Sequence, residues 1–115
     1  MNAYDAVIIG SGTAGQTAAH ALKTKGLTVA VVEKSDTPGG TCALAGCQAK
    51  KWFYEGMEVV AKSQHLEGKG IFSVPETAWS DFQREKNRFT QAVPGSTLDG
   101  FKKAGIDVIA GTAHF

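Results

Sequence analysis

Apolar residues near the N-terminus fall in two short solid runs, not in a helical stripe. Tyr4 to Ile9 is β-rich and stopped by Gly10, so it predicts a buried strand. Thr28 to Val32 predicts a second. Between them, Thr13 to Lys25 has helical spacing and is closed by Gly26. Ala14, Ala18 and Ala21 fall on one face of that helix with Leu22 beside them, small enough for close packing on a sheet. Strand, helix and strand within so short a span predict a right-handed crossover and a parallel pair. A long helix is expected from about Thr41 to Lys62. An irregular stretch, 63–78, follows, punctuated by Gly68, Gly70 and Pro75. Ser80 to about Ala92 predicts another helix, with Ser80 and Gln83 at capping-box spacing and Phe82, Phe89 and Val93 on one face. Pro94-Gly95 is expected to break the chain before a short helix, Ser96 to Ala104. Ile106 to Ala110 then predicts a third strand. The fold class is α/β: a three-layer, Rossmann-like dinucleotide-binding fold with a three-stranded parallel sheet.

Composition narrows the function classes. The 115 residues leave room for one domain, and 43% hydrophobic with 20% charged residues is an ordinary globular balance. A net charge of +1 argues against a nucleic-acid-binding surface. Two cysteines cannot staple a secreted scaffold. No apolar run approaches the ~20 residues of a membrane span, and the N-terminus lacks a basic, signal-like segment. A soluble, cytoplasmic protein is the expectation, with no nucleic-acid or membrane partner.

Gly10-Ser11-Gly12-Thr13-Ala14-Gly15 is G-x-G-x-x-G, set between a predicted strand and a predicted helix. Gly10 allows the tight turn, Gly12 lets backbone approach a pyrophosphate, and Gly15 lets the helix pack closely on the strand. The helix start then presents free N–H groups and a positive dipole end to the phosphates. Glu33 ends the second strand, where an acid grips ribose hydroxyls. Its charge would repel a 2′-phosphate, so the site suits FAD or NAD and not NADP. The competing reading, a tight turn and a solvated strand end, is weakened by the joint presence of strand, helix and acid.

A second constellation is Gly39-Gly40-Thr41-Cys42-Ala43-Leu44-Ala45-Gly46-Cys47, a C-x4-C pattern. Zinc sites favour C-x2-C with a second ligand pair, and His20, His65 and His114 are scattered, so no metal site is expected. A disulfide needs Cα atoms within about 7 Å, whereas residues five apart on a regular helix are roughly 8–9 Å apart. Closing one would distort the first turn, and Gly46 is the residue most able to absorb that. A strained pair is easily reduced, which suits catalysis. Cys42 near a helix start, with Lys50 and Lys51 a turn away, would favour a thiolate. Two small buried hydrophobes remain the alternative.

Taken together, the two constellations resemble the N-terminal FAD-binding segment of the class I pyridine nucleotide-disulfide oxidoreductases. That family includes dihydrolipoamide dehydrogenase, glutathione reductase and mercuric reductase. The ending, Ala104-Gly105-Ile106 through Gly111-Thr112-Ala113-His114-Phe115, also fits the family's third strand. The resemblance implies that Gly10, Gly12, Thr13, Ala14 and Gly15 carry the FAD pyrophosphate and that Glu33 holds the adenosine ribose. Thr41 would face the phosphates or the flavin, and Ala113 would offer backbone to the adenine. Cys47 would be the charge-transfer thiol and Cys42 the interchange thiol that meets substrate. Lys50, in preference to Lys51, would sit near flavin N5. Electrons would pass from NAD(P)H through FAD to Cys42–Cys47 and on to a small disulfide, dithiol or related acceptor.

Ala49 stands where the family usually has proline, and Gln48 replaces a common aliphatic residue. Family members are homodimers several times longer. The resemblance therefore implies a partial FAD-binding domain over residues 1–115, with the NAD(P) and dimerisation domains absent and turnover by this chain alone not expected. A small non-catalytic flavin- or dinucleotide-binding protein is the second hypothesis, and a remnant that binds nothing the third. Trp52-Phe53-Tyr54 with Met57 and Val60 reads as packing, and Arg84, Lys86 and Arg88, offset by Asp81 and Glu85, as a solvated face.

Overall fold

The structure is a computed structural model that describes residues 3–115. The reading of the extreme N-terminus at Met1 lies outside the described residues. Strand β1 (Ala6–Ile9), helix α1 (Thr13–Thr24) and strand β2 (Val29–Glu33) form the expected crossover. They are followed by α2 (Gly40–Leu44), α3 (Cys47–Leu66), α4 (Trp79–Ala104) and β3 (Asp107–Ala110). The sheet is parallel with order β1-β2-β3, so the middle strand is β2. Ile8 lies beside Val31, and Val31 beside Val108.

A carboxylate clasp sets the start of β1. Asp5 Oδ2 accepts from the Thr28 backbone N–H at 2.7 Å and from the Thr28 hydroxyl at 2.6 Å, while Asp5 N–H donates to Thr28 Oγ1 at 3.0 Å. These bonds hold the Asp5 carboxyl below its ordinary range and fix the register before the first ladder bond.

Among the described residues, helices pack on only one face of the sheet. Ala19 of α1, Val29 and Val31 of β2, Phe101 of α4 and Ile106 form the core, with Ile8, Leu22, Leu27 and Ala104 packed against it. Phe101 is fully buried, and burying such a ring is worth about 1.5–3 kcal/mol. Strand alternation sends Val7 and Ile9, paired beside Ala30 and Val32, to the opposite face. Val7 and Ile9 stay more than half exposed there. The described residues therefore make two layers, not the three expected.

Four local expectations are corrected. On α1 the buried residue is Ala19, and Ala14 and Ala21 are exposed. The sheet-facing row is Gly15, Ala19 and Leu22, one position round from the predicted alanines. The long helix divides at Ala45–Gly46 into α2 and α3, and α3 runs on to Leu66. Helix α4 passes straight through Pro94. Proline removes one backbone bond there, but packing holds both sides: Val93 presses on Gly39, Thr97 is 8% exposed, and Phe101 is in the core. The Ser80 capping box does not form, because the helix starts at Trp79 after Ala78 with no side-chain cap.

Helices α3 and α4 form a hairpin that stretches the molecule to 69 × 26 × 25 Å. The hairpin packs through aromatics, as expected. Phe53 stacks on Trp79 at 4.7 Å, Trp52 Nε1 donates to the Phe82 carbonyl at 3.3 Å, and the Phe82 ring lies over Gly56. Tyr54 stays largely exposed.

Candidate functional site

The glycine loop has the geometry its sequence requires. Gly10 has φ +94°, a left-handed conformation that disfavours any side chain. A Cβ on Gly15 would lie 2.0 Å from the Gly10 carbonyl oxygen, so α1 can start against the loop only with glycine there. Gly12 caps α1 with no side-chain hydrogen bond, and no acidic residue occupies the first turn. The N–H groups of Thr13, Ala14 and Gly15 precede the first intrahelical bond, Gln16 N–H to Gly12 O at 2.9 Å. That leaves an uncapped helix start suited to an anion.

Glu33 stands at the end of β2 with its carboxylate turned to that loop. Its Oε2 accepts from the Ser11 backbone N–H at 2.8 Å and from the Ser11 hydroxyl at 2.5 Å; its Oε1 accepts from the Ser35 N–H at 2.8 Å. The Ser11 hydroxyl, then the Ser35 N–H, hold the Glu33 carboxyl below its ordinary range. Beside it, Ile9, Gly10, Val32, Glu33, Lys34, Gly111, Thr112 and Ala113 line a cleft of about 280 Å³ at the carboxyl end of the sheet. The Gly111 N–H donates to the Glu33 carbonyl at 2.9 Å, which places the chain through Ala113 across from the acid.

The cysteine segment is built onto the same loop. Gly40 has φ +78°, and a Cβ there would lie 2.4 Å from the Gly12 Cα. The two backbones therefore touch, with the Gly39 N–H donating to the Ser11 hydroxyl at 3.0 Å. Helix α2 then carries Thr41, exposed as its second residue, and Cys42 as its third. Gly46 folds back so tightly that a Cβ would meet the Thr41 carbonyl oxygen at 2.9 Å and the Cys42 Cα at 3.3 Å. Cys47 thus opens α3 next to Cys42, with Gly46 taking the distortion predicted for it.

Both cysteines are free thiols, Cys47 the more exposed. Cys42 is held below the ordinary thiol range, first by the Cys47 side chain, then by the Thr13 hydroxyl, the Cys47 backbone and the Lys51 charge, against some desolvation. The lysine acting on Cys42 is therefore Lys51. Lys50 is exposed in the first turn of α3. Among the described residues, no group of three or more His, Cys, Asp and Glu is arranged to hold a metal. No helix of the described residues is long and apolar enough to cross a membrane.

The structure brings together the loop glycines, Glu33 and Ala113 on one side and Thr41, Cys42 and Cys47 on the other. Ser11 and the Gly39-Gly40 contact are what the sequence reading missed. The visible signal was a hydroxyl residue in the second slot of the glycine motif.

A family model described as "Pyridine nucleotide-disulphide oxidoreductase" matches residues 4–113. The chain belongs to that family. It is 29% identical over 119 residues to the glutathione reductase of Debaryomyces hansenii, an alignment covering 97% of this chain and 24% of that protein. It is 34% identical over 112 residues to the dihydrolipoyl dehydrogenase of Bacillus subtilis, covering 94% and 24%. A solved Cu(II) complex of the HOCl-induced flavoprotein disulfide reductase RclA from Escherichia coli superposes with a TM-score of 0.73 at 32% identity. That match covers 100% of this chain and 23% of RclA. The chain thus spans about a quarter of the length of these relatives.

Proposed function

We propose that this chain is the FAD-binding, dithiol-bearing part of a NAD(P)H-dependent disulfide oxidoreductase acting on a small disulfide or related acceptor. The observation that carries this is the backbone contact between Gly12 and Gly40. It fixes the nucleotide cradle and the cysteine pair as one unit, with Cys42 activated. The residues present fit FAD: an uncapped helix start for the pyrophosphate and an ionised Glu33 beside a cleft that ends at Ala113. When bound, FAD supplies a two-electron carrier between a nicotinamide nucleotide and the dithiol.

Gly10, Gly12, Thr13, Ala14 and Gly15 would bind the pyrophosphate, Glu33 the ribose and Ala113 the adenine, with Thr41 facing the phosphates or flavin and Lys50 near the flavin. The thiol chemistry follows from the pair itself. The Cys42 thiolate attacks one sulfur of the substrate disulfide, forming a mixed disulfide and expelling a thiolate that takes up a proton. Cys47, having lost its proton, attacks Cys42 and expels the second thiol, leaving the Cys42–Cys47 disulfide to be reduced again. Thr13, Lys51 and the Cys47 thiol itself favour the charged Cys42 at the start of this sequence. A homodimer as the whole-protein form belongs to the same proposal and rests on the family resemblance; a cytoplasmic location belongs to it too and rests on the cysteine usage.

The test is the visible absorption spectrum of the purified chain loaded with FAD, before and after mild reduction. A bound flavin spectrum that gains a long-wavelength shoulder on reduction, lost in Cys47→Ser with flavin retained, is the expected result. A chain that stays colourless in excess FAD overturns the reading.

A further inference from the structure

We propose that Ser11 is the positioning residue of the nucleotide site: its hydroxyl aims the Glu33 carboxylate at the ribose hydroxyls and locks it to the turn that begins the cysteine segment. The proposal rests on the dinucleotide reading above.

Ser11 is fully buried. A serine hydroxyl has one proton to donate, and here it goes to Glu33 Oε2 at 2.5 Å. The same hydroxyl accepts from the Gly39 N–H at 3.0 Å, and Gly39 is itself buried. Rotating the hydroxyl to serve another partner would leave that amide unpaired, which is costly away from water. The proton is therefore fixed on Glu33 by a residue 28 positions further along the chain. With the Ser11 N–H on Oε2 and the Ser35 N–H on Oε1, three donors define the plane of the carboxylate. They also keep it ionised, which favours an unmodified ribose and repels a 2′-phosphate. Two carboxylate oxygens offer about four lone-pair sites, so with three filled about one is left for a ribose hydroxyl at the mouth of the Gly10–Ala113 cleft. The Gln16 side-chain amide donates to the Ser11 carbonyl at 2.8 Å and steadies the residue from behind.

The experiment measures binding of ADP and of 2′,3′-dideoxy-ADP by calorimetry to the wild-type chain, Ser11→Ala, Glu33→Gln and the double variant. The ratio of the two affinities isolates the ribose contacts. Wild type is expected to prefer ADP by about tenfold or more, the scale of a hydrogen bond to a charged group. Ser11→Ala should cut that preference to about threefold or less, with dideoxy-ADP binding unchanged. It should have no further effect once Glu33 is glutamine.

An unaltered preference in Ser11→Ala overturns the proposal. So does an equal loss of both ligands, or an effect that persists in the Glu33→Gln background, since either shows a merely structural serine. A wild type that binds both ligands equally removes the role of Glu33 and the proposal with it. One that binds neither sinks the dinucleotide reading itself. Circular dichroism reports whether Ser11→Ala folds. If it does not, carbon NMR titration of Glu33 in the wild-type chain decides. A midpoint below 4.5 is expected, and one at or above 4.5 overturns the fixed, ionised carboxylate.

Discussion

The nucleotide end and the α3–α4 hairpin are held together in different ways. At the nucleotide end, backbone meets backbone at Gly10–Gly15 and Gly12–Gly40, and one buried hydroxyl joins Ser11, Glu33 and Gly39. In the hairpin, rings lean on one another while Tyr54, Met57, Val59, Phe72 and Trp79 remain exposed. The ion pairs of the hairpin, Lys62–Glu58, Arg84–Asp81 and Arg88–Glu85, all lie in solvent. Steric necessity specifies the first region, and dispersed contact area the second. A single methyl group should therefore be ruinous in one and tolerable in the other.

The strongest attack on this contrast is Gly15→Ala. Its methyl has nowhere to go but into the Gly10 carbonyl oxygen, so a loss of about 3 kcal/mol or more is expected. Chemical denaturation should register it, together with loss of ADP binding. The matching hairpin change, Gly56→Ala, would press on the Phe82 ring. A side chain can shift where a loop backbone cannot, and alanine favours helix, so about 1–2 kcal/mol is expected with ADP binding intact. Equal losses from the two substitutions would erase the distinction.

Cys47→Ala probes the thiol pair. Removing the neighbour that most lowers Cys42 should raise its pKa and slow its alkylation at pH 7 about three- to tenfold. An unchanged rate would assign the activation to Thr13 and Lys51. Glu33 gives the pH signature of the nucleotide end. Its folded pKa lies below the ordinary value of 4.5, so its contribution is full above that value and fades as pH falls through the folded pKa. Acid unfolding of Ser11→Ala should show a weaker pH dependence below 4.5 than the wild type, read from denaturant midpoints. The smallest effect is reserved for the surface. Arg84→Ala breaks exposed pairs with Asp81 and Glu85 and should cost less than about 0.5 kcal/mol.

The same contrast explains what could be read from the chain. The β1-α1-β2 unit was legible because its determinants are local: an apolar run, three glycines at fixed spacing, and an acid at the strand end. Gly46 was legible as the point of distortion, since the cysteine spacing demands one nearby. Pro94 misled because its helix is held by Gly39 and the core, contacts far away in sequence. The helix face of α1 was misplaced by one residue because four alanines share that helix and only the sheet selects Ala19. Ser11 was invisible as more than a spacer, because its partners stand 22 and 28 residues away.

The contact between Gly12 and Gly40 has a consequence for heredity as well as for chemistry. The constraint runs one way: a Cβ on Gly40 would be driven into the Gly12 Cα at 2.4 Å, whereas one on Gly12 would meet the Gly40 Cα at an ordinary 3.8 Å. In a mutational library of this chain, lesions at Gly40 should therefore score twice: variants selected for displaced thiols would also have lost nucleotide binding, and no change at Gly12, which has no side chain to trim, would rescue them.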